Sequence, residues 1–161
     1  MFAGTHKQES MNNIRITKHF DFETAHALYG YDGKCKNIHG HSYQLFVTVI
    51  GKPISDSEHP KNGMVMDFGD LKKIVQREIV EVFDHAVVLN SNSPHKELAD
   101  SIGDHSHRIV LVPYQPTSEL MLFDFAERIK ALLPQNVFLH SLKLYETANS
   151  YAEWYADDQE T

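Results

Sequence analysis

The stretch Cys35-Lys-Asn-Ile-His39-Gly-His41-Ser-Tyr43-Gln-Leu45-Phe46-Val47-Thr-Val49-Ile50 carries both a strand signal and a reactive cluster. Tyr43, Leu45, Val47 and Val49 alternate with the period of a strand that turns one face to a core. Phe46 and Ile50 lie on the other face, so both faces are partly covered. Upstream, Ile14, Ile16, Phe20 and Phe22 share one side of residues 14–24. The intervening Tyr29-Gly-Tyr-Asp-Gly33 is rich in turn residues. An antiparallel pair joined by this loop brings His26, in Phe22-Glu-Thr-Ala-His26, beside His39 and His41.

Working outward, Asp67 is placed to cap a helix running to about Phe83, with Phe68, Leu71, Ile74, Val75, Ile79 and Val82 at helical spacing. A second helix is expected from near Pro116-Thr-Ser-Glu119 to Pro134. Between them, Asn90 to Pro113 contains turn residues and a short β-like run, Arg108-Ile-Val-Leu-Val112, and strands return at about 138–147 and 151–156. The order strand, strand, helix, helix, strand, strand predicts an α+β domain with an antiparallel sheet. Residues 1–12 read as a loose N-terminal tail, and 13–161 as a single domain. Four strands leave two open edges, which proteins cover or pair. Pairing with neighbouring subunits is the expected solution.

Composition narrows the function classes. The chain has 161 residues, 15 basic against 22 acidic, and a formal charge of −7. That balance disfavours a general binder of the nucleic-acid backbone. A single cysteine forbids an intrachain disulfide and favours a reducing compartment. No apolar run approaches the length needed to span a bilayer, and residues 1–10 lack the apolar centre of a signal peptide. The cytoplasm is the expected location. Eleven histidines do not form one tract, so spacing rather than number carries any metal argument.

Spacing singles out His39 and His41, which project from one face if they lie on a strand. With His26 on the adjoining strand they form a three-imidazole set, the usual protein ligands of a catalytic zinc that keeps one position open. Gly40 between them is expected to leave room for a metal or ligand. Cys35 reads either as a small buried hydrophobe or as a thiol activated by nearby positive charge. Asp84-His85 is either a carboxylate orienting an imidazole or an ordinary helix end. Glu146 falls on the apolar side of its strand with Leu142 and Leu144, where a carboxylate needs a partner. It is either a strand-end ion pair or an anchor for the N–H edge of a ring such as guanine or a pterin. Glu119 is well explained by the helix dipole alone. His105, His107, His59 and His95 read as loop residues.

Several motifs occur in order: Phe22-x-x-x-His26, Cys35-x-x-x-His39-Gly-His41, Met66-Asp67-Phe68, Asp84-His85, Pro116-Thr-Ser-Glu119 and Glu146-Thr147. Over roughly 14–156 this set resembles the pterin synthases of the tunnelling fold. The three-residue gap between Cys35 and His39 is similar to the carboxytetrahydropterin synthase branch rather than the pyruvoyl branch. The segment 91–108 looks like a longer loop than that branch usually carries. The resemblance implies a four-stranded antiparallel sheet with two helices on one side. It also implies a homohexamer built as a dimer of trimers, with active sites at subunit interfaces. It implies Zn2+ on His26, His39 and His41, Cys35 as base, and His85 oriented by Asp84 as proton carrier. Glu146, helped by Thr147 and less directly by Glu119, would bind the pterin. The implied substrate is a pterin triphosphate, in a step of queuosine biosynthesis, with no direct nucleic-acid or membrane partner. A pyruvoyl-type synthase and a non-catalytic zinc-binding oligomer are the rival readings.

Overall fold

A computed structural model of the chain describes residues 12–103 and 105–159. The expected tail therefore lies outside the described residues except for Asn12. The elements run β1 (Ile14–His26), β2 (His39–Gly51), α1 (Phe68–Val75), a π-helical turn (Gln76–Val80), α2 (Glu81–Phe83) and β3 (Ala86–Asn90). They continue with α3 (His95–Gly103), β4 (Ile109–Val112), α4 (Ser118–Lys130), β5 (Val137–Thr147) and β6 (Ser150–Tyr155).

The expected four-stranded antiparallel sheet is corrected. The sheet has six strands in the order β4-β3-β1-β2-β5-β6, and it is mixed. β1, β2, β5 and β6 are successively antiparallel. β3 instead lies parallel to β1, and β4 parallel to β3. Helix α3 supplies the crossover that a parallel β3–β4 pair requires, so the 91–108 segment contains a helix.

The reason these strands escape a periodicity reading is physical. Ala86-Val-Val-Leu89 and Ile109-Val-Leu-Val112 are short, unbroken apolar runs, as expected of strands covered on both faces. Val88 and Val112 face the main core, whereas Leu89 packs with Ala27 and Ala99 in a second cluster flanked by Val87 and Ile109. Helix α3 thus covers the opposite face at this edge. The expectation of two helices on one side holds only for the pair built from residues 68–83 and 118–130.

That main core forms between the inner sheet face and these two helical stretches. Phe20, Phe22, Tyr43, Leu45, Val47, Leu142 and Leu144 meet Leu71, Val75, Ile79, Met121, Leu122 and Phe125. Both helices start on side-chain caps. Asp67 accepts from Gly69 N–H at 2.6 Å, and Thr117 accepts from Leu120 N–H at 3.3 Å. Phe125 is fully buried and meets the rings of Phe22 and Phe83 edge-on, at 6.2 and 5.1 Å. Phe125→Ala is expected to cost ~3–5 kcal/mol, because the cavity forms where strand and both helices converge. Urea unfolding should show it as a lower midpoint with an unchanged slope.

Candidate functional site

Thirteen successive antiparallel pairs join β1 and β2, from Ile14 opposite Gly51 to His26 opposite His39. His41 sits opposite Thr24, two residues further along the same face as His39. The apolar inner face of both strands therefore ends in three imidazoles. Their rings lie 4.6 Å (His26–His39), 5.2 Å (His26–His41) and 4.9 Å (His39–His41) apart, centre to centre. One ligand atom from each lies within 4.8 Å of the others.

The hydrogen bonds around two of these rings decide what they can hold. His26 Nδ1 lies 2.6 Å from the Pro116 carbonyl and His39 Nδ1 2.8 Å from the Asn37 carbonyl. A carbonyl only accepts, so each Nδ1 carries the proton and each neutral ring presents an Nε2 lone pair. Those two Nε2 atoms stand 3.1 Å apart. In neutral rings two lone pairs face each other, an arrangement that a cation resolves. The spacing is close to the about 3.3 Å between two nitrogens of a tetrahedral zinc with Zn–N near 2.05 Å. His41 Nε2 is buried without a well-formed hydrogen bond among the described residues, although Glu146 Oε1 is 3.2 Å away. The donor set fits a divalent metal that favours imidazole.

Burial depresses the pKa of both His26 and His41, against the opposing pull of the nearby Glu146 carboxylate. They are accordingly neutral near pH 7, the form a metal binds.

Glu146 enters from β5 beside His41. Its Oε2 accepts from Ser118 Oγ at 2.5 Å, and Ser118 is itself buried at the start of α4. The run into the start of α4 thus serves the site twice, orienting His26 through the Pro116 carbonyl and Glu146 through Ser118. Tyr43, fully buried beneath His26 and His41, has its hydroxyl pKa pushed up by burial and then by the charge of Glu146. Sequence reasoning quoted Ser118 only inside a motif and gave Tyr43 only a packing role. The Pro116 and Asn37 carbonyls carry no side-chain signal at all.

Among the described residues, the other expected residues make no hydrogen bond to the cluster, although Glu119 and Cys35 lie close enough to act electrostatically on Tyr43. Cys35 is half-buried on a 3-10 turn (Lys34–Lys36) in the β1–β2 loop. Glu119 is exposed in the first turn of α4. Thr147 is exposed at the end of β5, where its Oγ1 accepts from Asn149 N–H. Gly40 does not open the metal face. A Cβ there would meet Thr24 O at 3.5 Å and Ala25 Cβ at 3.8 Å, ordinary contacts, on the opposite side of the sheet from the histidines.

Asp84 and His85 sit at that opposite side. Asp84 Oδ1 accepts from Glu23 N–H at 2.8 Å, which is the main reason its carboxyl stays below the usual carboxylate range. Its Oδ2 is 3.0 Å from His85 Nδ1. His85 N–H donates to Glu23 O at 2.6 Å, so the pair extends the strand ladder. His85 has φ +54°, an uncommon value for a non-glycine residue. Its ring is 77% exposed beside a cleft of about 380 Å³ lined by Glu23, Gly40 and Ser42. Among the described residues, neither side chain bonds to the histidine cluster or Glu146. A larger cleft, about 930 Å³, lies around Gly51 and Phe138, at the far end of β2 from the histidines. Twelve residue steps of strand separate the two ends, on the order of 40 Å, so that cleft is not part of this site.

The buried histidines make a sign-definite prediction for metal-free protein. Their folded pKa values lie below the unfolded value near 6.5, so the unfolded chain binds more protons just below that pH. Stability from these groups is complete above pH 6.5 and falls as pH drops through the folded values. Thermal unfolding of chelator-treated protein should show this loss, and His26→Gln should flatten its slope.

Residues 15–157 match the family described as 6-pyruvoyl tetrahydropterin synthase. A curated protein of Haemophilus influenzae named 6-carboxy-5,6,7,8-tetrahydropterin synthase is 34% identical over 142 residues, covering 88% of this chain and 98% of that one. A protein of the same name from Rickettsia typhi is 34% identical over 143 residues, covering 87% and 99%. A crystal structure of a protein from Wolinella succinogenes superposes with a TM-score of 0.74 over 90% of this chain and 99% of its own, at 22% identity, a likeness of fold. No helix among the described residues is long and apolar enough to cross a membrane. On its matched length and its curated relatives, this chain belongs to the 6-pyruvoyl tetrahydropterin synthase family.

Proposed function

We propose that the chain converts 7,8-dihydroneopterin triphosphate to 6-carboxy-5,6,7,8-tetrahydropterin, releasing acetaldehyde and triphosphate, as a lyase of queuosine biosynthesis. Atom balance requires one water to be consumed. The observation that carries the reading is the pair of opposed Nε2 lone pairs, 3.1 Å apart, with the Glu146 carboxylate beside the third histidine. Residues suited to a metal and a carboxylate suited to a pterin N–H edge thus lie side by side. Relatives of nearly full length bearing the name 6-carboxy-5,6,7,8-tetrahydropterin synthase support the branch.

His26, His39 and His41 would hold Zn2+, which supplies Lewis-acid polarisation of the substrate's side-chain oxygens and makes an adjacent C–H easier to deprotonate. Glu146, held by Ser118, accepts from the pterin ring and sets its orientation, and Thr147 and Glu119 would assist it. Cys35 takes the side-chain proton. His85 carries protons to and from the substrate, while the Asp84 carboxylate holds its Nδ1.

In a single chain His85 stands on the opposite sheet face from the metal cluster. The reading therefore places the Asp84–His85 pair of one subunit at a neighbour's Cys35, within a homohexamer. The outer sheet face supports subunit contact. It carries a run of rings, His19 on Phe46 at 4.4 Å and Tyr145 by Tyr151 at 4.8 Å, with Tyr151 and Phe138 well exposed.

Zinc-loaded protein incubated with 7,8-dihydroneopterin triphosphate should yield the carboxylated pterin by mass spectrometry together with acetaldehyde. Cys35→Ala should lower turnover by about 10²-fold or more with zinc content unchanged. A pyruvoyl product without acetaldehyde would overturn the branch, and loss of zinc in Cys35→Ala would overturn the separation of base from ligands. Shared sites have their own check. Mixed oligomers of Cys35→Ala and His85→Ala subunits should recover part of the activity, and no recovery in verified mixtures would count against an interfacial site.

A further inference from the structure

The thiol loop between β1 and β2 is tied together internally. Leu28 N–H donates to Cys35 O at 2.9 Å, Tyr31 N–H to Leu28 O at 3.3 Å and Asn37 N–H to Lys34 O at 3.1 Å. Its attachment to the rest of the fold is different. Tyr29 N–H donates to Gln115 Oε1 at 3.2 Å, and Gln115 Nε2 donates back to Tyr29 O at 2.8 Å. One carboxamide thus pairs with both backbone groups of one residue, as a neighbouring strand would. Among the described residues, these are the side-chain hydrogen bonds that join residues 28–37 to a distant part of the chain.

Gln115 is itself fixed. Its carbonyl accepts from Thr117 N–H at 2.7 Å, in a tight turn just before the α4 cap. The next residue, Pro116, orients His26, and Ser118 holds Glu146. The carboxamide therefore links the loop that bears the thiol to the short segment that orients a histidine of the cluster and the carboxylate. On its other side, Tyr29 is backed by His95 of α3, ring edge to ring face at 5.4 Å and 80°. Helix α3 thereby reaches the thiol loop from the far edge of the sheet.

We propose that Gln115 is a positioning residue that sets where the Cys35 thiol stands relative to the histidine cluster and Glu146, with His95 backing the same clamp through Tyr29. The catalytic consequence rests on the role given to Cys35 under the proposed function, whereas the clamp itself does not. Loss of the carboxamide leaves the Tyr29 backbone to water and lets the loop sample other positions. The metal ligands stay in place, because Pro116 orients His26 through its backbone.

The test uses full-length, zinc-loaded protein and its single thiol. Iodoacetamide should alkylate Cys35 at least roughly 3- to 10-fold faster in Gln115→Ala than in the parent, because both hydrogen bonds to Tyr29 are lost. Gln115→Glu should behave likewise, since a carboxylate cannot donate to Tyr29 O. His95→Ala, which leaves the Gln115–Pro116 turn untouched, should give a smaller rise in the same direction. In both Gln115 variants kcat should fall by at least the alkylation factor, with KM and zinc content near those of the parent. Unchanged alkylation in both would overturn the clamp. A kcat loss that tracks zinc loss, or faster alkylation without a fall in kcat, would overturn the positioning role. Full activity in Cys35→Ala would instead remove the base assignment, and the alkylation rates would still judge the clamp.

Discussion

The register of the β1–β2 ladder is the constraint on which the site depends. Slipping one strand by a single residue would turn its whole inner face outward. Phe20, Phe22, Tyr43, Leu45, Val47 and Val49 are all buried on that inner face, so the core holds the register firmly. The same alternation, carried past the apolar residues, puts His26 opposite His39 and leaves His41 opposite Thr24. Hydrophobic burial thereby positions three polar rings that would be costly to bury for their own sake. Thr24 reinforces the arrangement, donating its hydroxyl to Phe83 O at 2.8 Å and fixing the end of α2 against β1.

A second determinant is the short run Gln115–Ser118. Each residue does a different job: a carboxamide holds the thiol loop, a carbonyl orients His26, a hydroxyl caps α4 and another hydroxyl holds Glu146. Three of these contacts reach across 28 or more residues. For His26 and Ser118, both buried, their value lies in satisfying groups that burial would otherwise strand, each at a cost of about 1–3 kcal/mol. They also set the tautomer of His26, and with it the direction of its free lone pair.

The β3–α3–β4 unit extends the sheet beyond β1 and brings in the Asp84–His85 pair. β3 is covered on both faces, by the main core and by the cluster under α3, whereas β4 leaves Leu111 exposed at the sheet edge. His85, left-handed between the extended Asp84 and β3, has its ring exposed beside the cleft on the outer face. The histidine cluster and the Asp84–His85 pair therefore occupy opposite sides of one sheet.

The alternating strands at 14–26, 39–51, 137–147 and 150–155 were legible because alternation is the signature of a strand buried on one face. The helices at 68–83 and 118–130 were legible from their spacing and caps. The three histidines and Glu146 could be placed by counting along those strands, since period two assigns the face. Strands β3 and β4 were not legible as part of the sheet, because an unbroken apolar run has no periodicity to read and parallel pairing depends on a distant crossover. The remaining features belong to tertiary structure alone. Sequence spacing names imidazoles, a thiol and a carboxylate. Only the folded chain decides that Pro116 and Asn37 present carbonyls to two of those rings, that Gln115 grips Tyr29, and that His85 faces away, because these contacts join residues with no local relation and use backbone atoms that every sequence possesses.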